Sequence, residues 1–402
     1  MELKDKIYKL RGKLMHYAWG GYEFLPSFLG MGNPDHKPFA EYWMGAHPLA
    51  PSELLTMEGP VSLYSAISEM PEKILSASVQ DRFGCLPYLF KVMDVKDILS
   101  IQVHPSKEEA EKGFDREEAE GIPINAPYRN YKDRNHKPEM LVTLSEFWLL
   151  HGFKQKAEIE KILIDVPEFN ILSPYYKREG LKALYQFVME MAQPEVNALL
   201  TNLIKRNIRQ KNEGELTKEM PGWWVAKLFE GKDEIGDIDR AIFSIYFFNI
   251  VNLHPGKGLF QGAGMPHAYM EGQCVELMAN SDNVLRGGLT QKHIDVPELM
   301  KHTIFESIVP HLLKGTPGMT GEKLYPCPVS DFGIAKIDLS PGISYTNTST
   351  SLEILVVTEG GAVINNSLAL KKGESIAVFA GESYTIEASG ACVMFRAFVP
   401  AG

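Results

Sequence analysis

Between residue 154 and about residue 232, apolar side chains recur at helical intervals; on either side of that stretch they do not. Leu181, Leu184 and Val188 make one stripe, and Val196, Leu199, Leu200, Leu203 and Ile204 make another. This is the three-and-four spacing by which a helix lays one face on a core. Pro167, Pro174 and Pro194 stand where one helix gives way to the next. Before this stretch the chain is dense in Gly, Pro and aromatic residues, with short apolar runs at 86–93, 98–103 and 140–153. These suit strands bounded by turns. Toward the end Leu352, Ile354 and Val356 alternate, and Gly360-Gly361, Asn365-Asn366 and Gly373 punctuate the pattern. The fold class expected is therefore mainly β with an α-helical insertion, its strands arranged as a sandwich or jelly roll.

Two local expectations follow. Residues 241–253, rich in β-branched and aromatic side chains, read as a return to strand. Residues 106–113 read as a brief helix opened by a capping Ser106 and closed by Gly113. The boundaries expected are 1–153 and 241–320 as two parts of one β core, 154–240 as a helical domain, and 321–402 as a C-terminal β domain. By itself the helical segment reads as packing and support.

A chain of 402 residues exceeds one compact unit of common size. Its net charge of −10 argues against general nucleic-acid binding. An anionic small molecule stays possible if positive charge is gathered locally. Cys85, Cys274, Cys327 and Cys392 are dispersed without a CxxC pair, the usage of a reducing compartment. The start, Met-Glu-Leu-Lys-Asp-Lys, lacks the apolar stretch of a secretory signal. The apolar run at 241–253 is too short to span a bilayer. A cytoplasmic protein without membrane association is expected.

The chemistry concentrates in a few segments. In Gln102-Val-His104, residues two apart in a strand project to one face. Glu139 ends Asn135-His-Lys-Pro-Glu139, and His267 closes a Gly-Ala-Gly-Met-Pro-His turn. Two imidazoles, an amide and a carboxylate form a set that zinc accepts while leaving room for a substrate oxygen. Each residue alone also has an ordinary reading: Gln102 as a strand residue, Glu139 as a surface carboxylate, either histidine as a satisfied core group. All eleven histidines lie at or before His311, so one histidine-based centre is expected and none in the C-terminal β region. The turn-prone Ser281-Asp-Asn283 precedes Arg286, whose planar fork suits phosphate or an enediolate. Pairing with Asp282 or Glu276 is the bland alternative. Lys91, Lys137, Arg286 and Lys292 would supply the local positive charge.

These segments resemble the zinc-dependent, cupin-fold mannose-6-phosphate isomerases over most of the chain. Tyr17-Ala-Trp-Gly20 and Ala40-Glu-Tyr-Trp-Met-Gly-Ala-His47 are similar to that family's N-terminal signatures. Residues 86–91 with 99–105, then 135–139, 266–269 and 276–292, follow in the family's order. The resemblance implies a cupin core around the metal, a helical domain and a C-terminal β-barrel. It implies one zinc ion per chain on Gln102, His104, Glu139 and His267, with Arg286 as the catalytic arginine. It places Ser100, Lys91, Lys137, Tyr269, Glu276 and Lys292 in the substrate pocket. Two departures, 262–266 and Gln291, would touch pocket shape or phosphate grip and leave the metal alone.

The activity implied interconverts mannose 6-phosphate and fructose 6-phosphate through a cis-enediol. Lys137 and Glu276 stand first as the proton-transferring group, with Tyr269, His47 and a metal-bound water as further candidates. The partner expected is a small sugar phosphate, acting on a monomer or weak dimer. Two other readings stay open: another metal-dependent cupin, and a sugar-phosphate sensor without turnover. An oxygenase generally needs a redox metal on a histidine-rich triad, and this set holds two histidines.

Overall fold

The computed structural model of the chain describes residues 3–401. Its strands form sheets of nine, ten and four strands, and no pairing among the described residues closes a sheet into a ring. The mainly β framework with a helical insertion is as expected; the barrel form of the C-terminal part is not seen in these pairings.

The ten-stranded sheet is organised about the strand His267–Ala279, which pairs antiparallel with Tyr88–Val95, Gln102–Val103, Glu139–Thr143 and Phe147–Phe153. Three of these neighbours begin at or carry the residues singled out from sequence. Tyr88–Val95 is buried at every position, so it reads as a continuous apolar run interrupted by Lys91 and Asp94. One face of this sheet packs against the nine-stranded sheet. Phe90, Val92, Val275 and Leu277 share a core with Ile354, Val356, Ala377 and Phe395.

The nine-stranded sheet joins the chain's two ends. Ile7–Arg11 pairs antiparallel with Ser375–Val378, Ile7 opposite Val378, and Glu53–Thr56 and Gly59–Ser62 follow on its other edge. The strand Glu353–Glu359 serves two cores. Ile354 and Val356 face the ten-stranded sheet, while Leu355 and Val357 face the four-stranded one with Tyr345, Ile364 and Ile386.

The helical segment contains Lys156–Asp165, Ser173–Glu190, Gln193–Asn212 and Pro221–Lys227. Pro167, Pro174 and Pro194 occupy first or second helical positions, where the missing N–H costs nothing. Leu184, Val188, Val196, Leu200, Leu203 and Ile204 are all buried in its core.

Two expectations are corrected. Ala241–Phe247 is a helix, and the strand begins only at Phe248. All seven helical residues are buried, so no polar face marks the helical period. The helix opened by Ser106 runs on to Ala119. Gly113 lies inside it, where an added Cβ would come within 2.3 Å of the Tyr131 ring. The glycine serves a close approach, and terminates nothing. Among the described residues, no helix is long and apolar enough to cross a membrane.

Candidate metal centre and substrate cavity

His104, Glu139 and His267 converge, each nearly or wholly buried, with one ligand-type atom from each lying within 4.8 Å of the others. Sheet pairing brings them together. Gln102 sits opposite His267 on one side and Arg286 on the other, and Glu139 pairs with Met278 of the same long strand. Pro105 ends the short strand before it extends past His104.

The imidazoles are oriented for ligation. His104 Nδ1 lies 2.8 Å from the Asn283 carbonyl and His267 Nδ1 lies 2.9 Å from that of Met265. A carbonyl only accepts, so each Nδ1 carries a proton and Nε2 is the nitrogen left to face a cation. Both Nε2 atoms turn to Glu139, His104 at 3.4 Å from Oε1 and His267 at 3.2 Å from Oε2. His104 Nε2 is buried without a hydrogen-bond partner, an arrangement that a cation would relieve. Burial, helped by Lys137 and His267, holds His104 below its ordinary value against the pull of Glu139. Burial alone would raise Glu139, but Lys137 first and then His104 outweigh it and keep the carboxyl well below its usual range. Neutral imidazoles around an ionised carboxylate are the form a divalent cation needs, and the donor set fits zinc.

Lys137 links this cluster to a cavity of about 440 Å³: its ammonium is 3.2 Å from Glu139 Oε1, and its side chain lines the cavity with Gln102, Ser100, Lys91, Arg286 and Lys292. Asp282 pairs with His47 at 3.4 Å, and Glu276 pairs with Lys91 at 2.9 Å. Both carboxylates that might have neutralised Arg286 are thus engaged elsewhere. Among the described residues, neither Arg286 nor Lys292 has an ion-pair partner. Burial lowers both below their ordinary values, Arg286 adding to the effect on Lys292. Two uncompensated cations facing one cavity favour an anionic ligand.

Tyr269 and Glu276 lie apart from that lining. The Tyr269 hydroxyl donates to Glu276 Oε1 at 2.7 Å, and Glu276 Oε2 accepts from Lys91. Burial opposes charge on Lys91, yet Glu276 and Glu41 outweigh it and hold the ammonium above its ordinary value. Glu41 and Trp43, which joins it through the indole N–H, border the cavity beside Lys91. Sequence reasoning had them only as part of a signature.

Asn283 was also passed over as an individual. Fully buried, its amide accepts from Lys132 N at 2.7 Å and donates to the carbonyls of Asp133 and Asn135 at 2.8 Å each. Asp133 in turn accepts from the Ser281 hydroxyl at 2.9 Å and from Asp282 N at 2.7 Å. The segment leading to Glu139 is thereby knitted to the one leading to Arg286. The sequence signal was the turn-prone Ser-Asp-Asn run, which gives no partner.

Such a site on such a framework places the chain among metal-dependent proteins that take a small anionic ligand. Comparison with known proteins narrows this. The phosphomannose isomerase type I catalytic domain matches residues 7–156. The mannose-6-phosphate isomerase of Escherichia coli is 38% identical over 384 residues, covering 93% of this chain and 95% of the relative. The human mannose-6-phosphate isomerase is 31% identical, with 95% of each covered. A solved structure of mannose 6-phosphate isomerase from Salmonella typhimurium, bound to fructose 6-phosphate and zinc, superposes with a TM-score of 0.88. It is 34% identical, over 99% of this chain and 100% of that one. The chain belongs to the mannose-6-phosphate isomerase family.

Proposed function

We propose that this protein is a zinc-dependent aldose–ketose isomerase interconverting mannose 6-phosphate and fructose 6-phosphate. The observation that carries the reading is the convergence of two pre-oriented imidazoles and one ionised carboxylate beside Arg286 and Lys292, which have no ion-pair partner among the described residues. Gln102, His104, Glu139 and His267 would hold one ion per chain. When bound, zinc supplies Lewis acidity toward hydroxyl and carbonyl oxygens.

The remaining work falls to side chains. A proton moves between C1 and C2, and negative charge develops on the oxygens of a cis-enediolate. Arg286, unpaired and partly desolvated, directs its fork at that charge. Ser100 and Lys292 take the phosphate. Of the proton carriers expected, Lys137 opens on the cavity, whereas both oxygens of Glu276 are occupied by Tyr269 and Lys91. We therefore assign Lys137 to hold the transferred proton. Glu276 and Tyr269 act from behind, fixing Lys91 as a permanent positive wall.

The wider reading keeps a cupin-type core, formed from 1–153 and 241–320, around the metal. The helical module is 154–240, and 321–402 supply most of the two facing sheets of the C-terminal β domain. The strands Ile7–Arg11, Glu53–Thr56 and Gly59–Ser62 cross into the latter. A monomer or weak dimer belongs to the same reading. Four free cysteines fit a reducing, cytoplasmic setting.

Solvent deuterium incorporation tests the reaction. Zinc-replete protein in heavy water is expected to place deuterium at C1 of fructose 6-phosphate or C2 of mannose 6-phosphate. Binding of the sugar phosphate without exchange or turnover would sink the isomerase reading and leave a sensor.

A further inference from the structure

One carboxylate of the helical module, Asp239, is bonded to the backbone of a cavity-lining residue, Leu289. Residues 237–240 are pinned to the start of the helix Gln193–Asn212. Asn197 Nδ2 donates to Asp237 Oδ1 at 2.9 Å, Ile238 N donates to Asn197 Oδ1 at 3.0 Å, and Gln193 Nε2 donates to the Ile238 carbonyl at 2.9 Å. The Arg240 guanidinium donates twice to the Met191 carbonyl, at 2.6 and 2.9 Å. From this anchored segment Asp239 extends both carboxylate oxygens to backbone N–H groups. Oδ1 accepts from Ala241 at 2.8 Å, and Oδ2 accepts from Leu289 at 2.7 Å.

Leu289 is the unusual partner. Its φ is +55°, a left-handed conformation that costs a branched residue energy and persists only where the surroundings impose it. Gly288 before it has φ +119°, and a Cβ there would come within 2.4 Å of the Ala241 Cβ and 2.7 Å of Asp239 Oδ1. On the opposite side, Gly287 N donates to the Ile101 carbonyl at 2.8 Å and Ile101 N to that of Gly288 at 3.0 Å. Residues 287–289 are clamped between the strand region carrying Ser100 and Gln102 and the helical module carrying Asp239. Arg286 lies just before the clamp. Leu289 at its end, and Thr290 and Lys292 just after it, line the cavity.

We propose that Asp239 is a positioning residue of the isomerase site: its bond to the strained Leu289 backbone sets where Lys292 meets the substrate phosphate. The proposal rests on the isomerase reading and gives the helical module a part in substrate binding. A charge-assisted bond from a fixed carboxylate is strong enough to hold one left-handed residue. Without it the backbone at Leu289 relaxes toward an ordinary conformation, and the lysine moves with it. The metal ligands stand on other strands and stay in place.

The test uses zinc-loaded, full-length Asp239→Ala and Asp239→Asn. Steady-state kinetics on mannose 6-phosphate are read beside amide hydrogen exchange over 286–292 and bound zinc. In Asp239→Ala, KM is expected to rise about tenfold, with kcat within about threefold of the parent. Zinc content is unchanged, and exchange quickens in that stretch alone. Asp239→Asn, whose amide oxygen still accepts from one of the two N–H groups, shows a smaller rise. An unchanged KM in Asp239→Ala overturns the proposal. So does a parallel loss of kcat and zinc in both variants, which would make Asp239 a support of the fold alone. Absence of turnover in the parent protein would instead sink the isomerase reading, while exchange at Leu289 would still decide whether the clamp exists.

Discussion

The Asn283 backbone carbonyl accepts from His104 Nδ1 at 2.8 Å, while the Asn283 side chain is fastened to the segment that leads to Glu139. One residue therefore couples the orientation of a candidate imidazole ligand to the position of a candidate carboxylate ligand. Outer partners of this kind commonly govern metal affinity by about 10–100-fold. Asn283→Ala is expected to weaken zinc binding by about that factor, read by competition with a chelator. Unchanged affinity would mean that the carbonyl holds its place without the amide.

Arg286 has no carboxylate partner among the described residues, so its charge is available to the ligand. Replacement by lysine keeps the charge and loses the planar fork. Arg286→Lys is expected to lower kcat by about a hundredfold or more, by analogy with removal of an oxyanion donor. Lys292→Ala should act chiefly on KM. Kinetics of Arg286→Lys close to those of the parent protein would remove the guanidinium from the chemistry.

Gly113 gives a prediction of stability against propensity. Alanine in a helix interior is ordinarily favoured over glycine by about 1 kcal/mol. At this position its Cβ would meet the Tyr131 ring at 2.3 Å. Overpacking of that kind typically costs about 1–3 kcal/mol, so Gly113→Ala should lower the denaturant midpoint. A raised midpoint would show that the ring moves aside freely.

Much of the candidate site was legible because its proposed ligands sit in strand patterns or in turns whose residue types are chemically unusual: a Gln-x-His pair before proline, a carboxylate opening an apolar strand, a histidine closing a glycine-rich turn. The helical stripes were equally plain, since Lys156–Asp165, Ser173–Glu190 and Gln193–Asn212 each have one wet face. Where a segment is buried all round, as Ala241–Phe247 is, nothing distinguishes helix from strand except length and context. Gly113 was misread because a glycine needed for a close approach looks like a terminator. The pairing of Ile7 with Val378 is a long-range consequence of packing two sheets, with no local signature. Asn283 holds His104 through a backbone oxygen, which every residue type possesses. The strain at Leu289 likewise belongs to the backbone.

Glu298 offers a pH test away from the metal. His302 first, with Tyr131 and Arg116, outweighs burial and brings its carboxyl down to about 2. Because the folded value lies below the unfolded one, the ionised carboxylate adds stability above about pH 4.3. That contribution is lost as pH falls through about 2. Glu298→Gln should be less stable than the parent at pH 7 by about 1–3 kcal/mol. The gap should narrow as unfolding is measured at successively lower pH. A gap independent of pH would show that the carboxylate's charge plays no part.

The proposed function stands on one zinc ion held by His104, Glu139 and His267 with Gln102. Metal analysis of purified Glu139→Ala and His267→Ala beside the parent protein tests it most directly. One zinc per chain is expected in the parent and a small residual fraction in both variants. Near-stoichiometric zinc in both would contradict it.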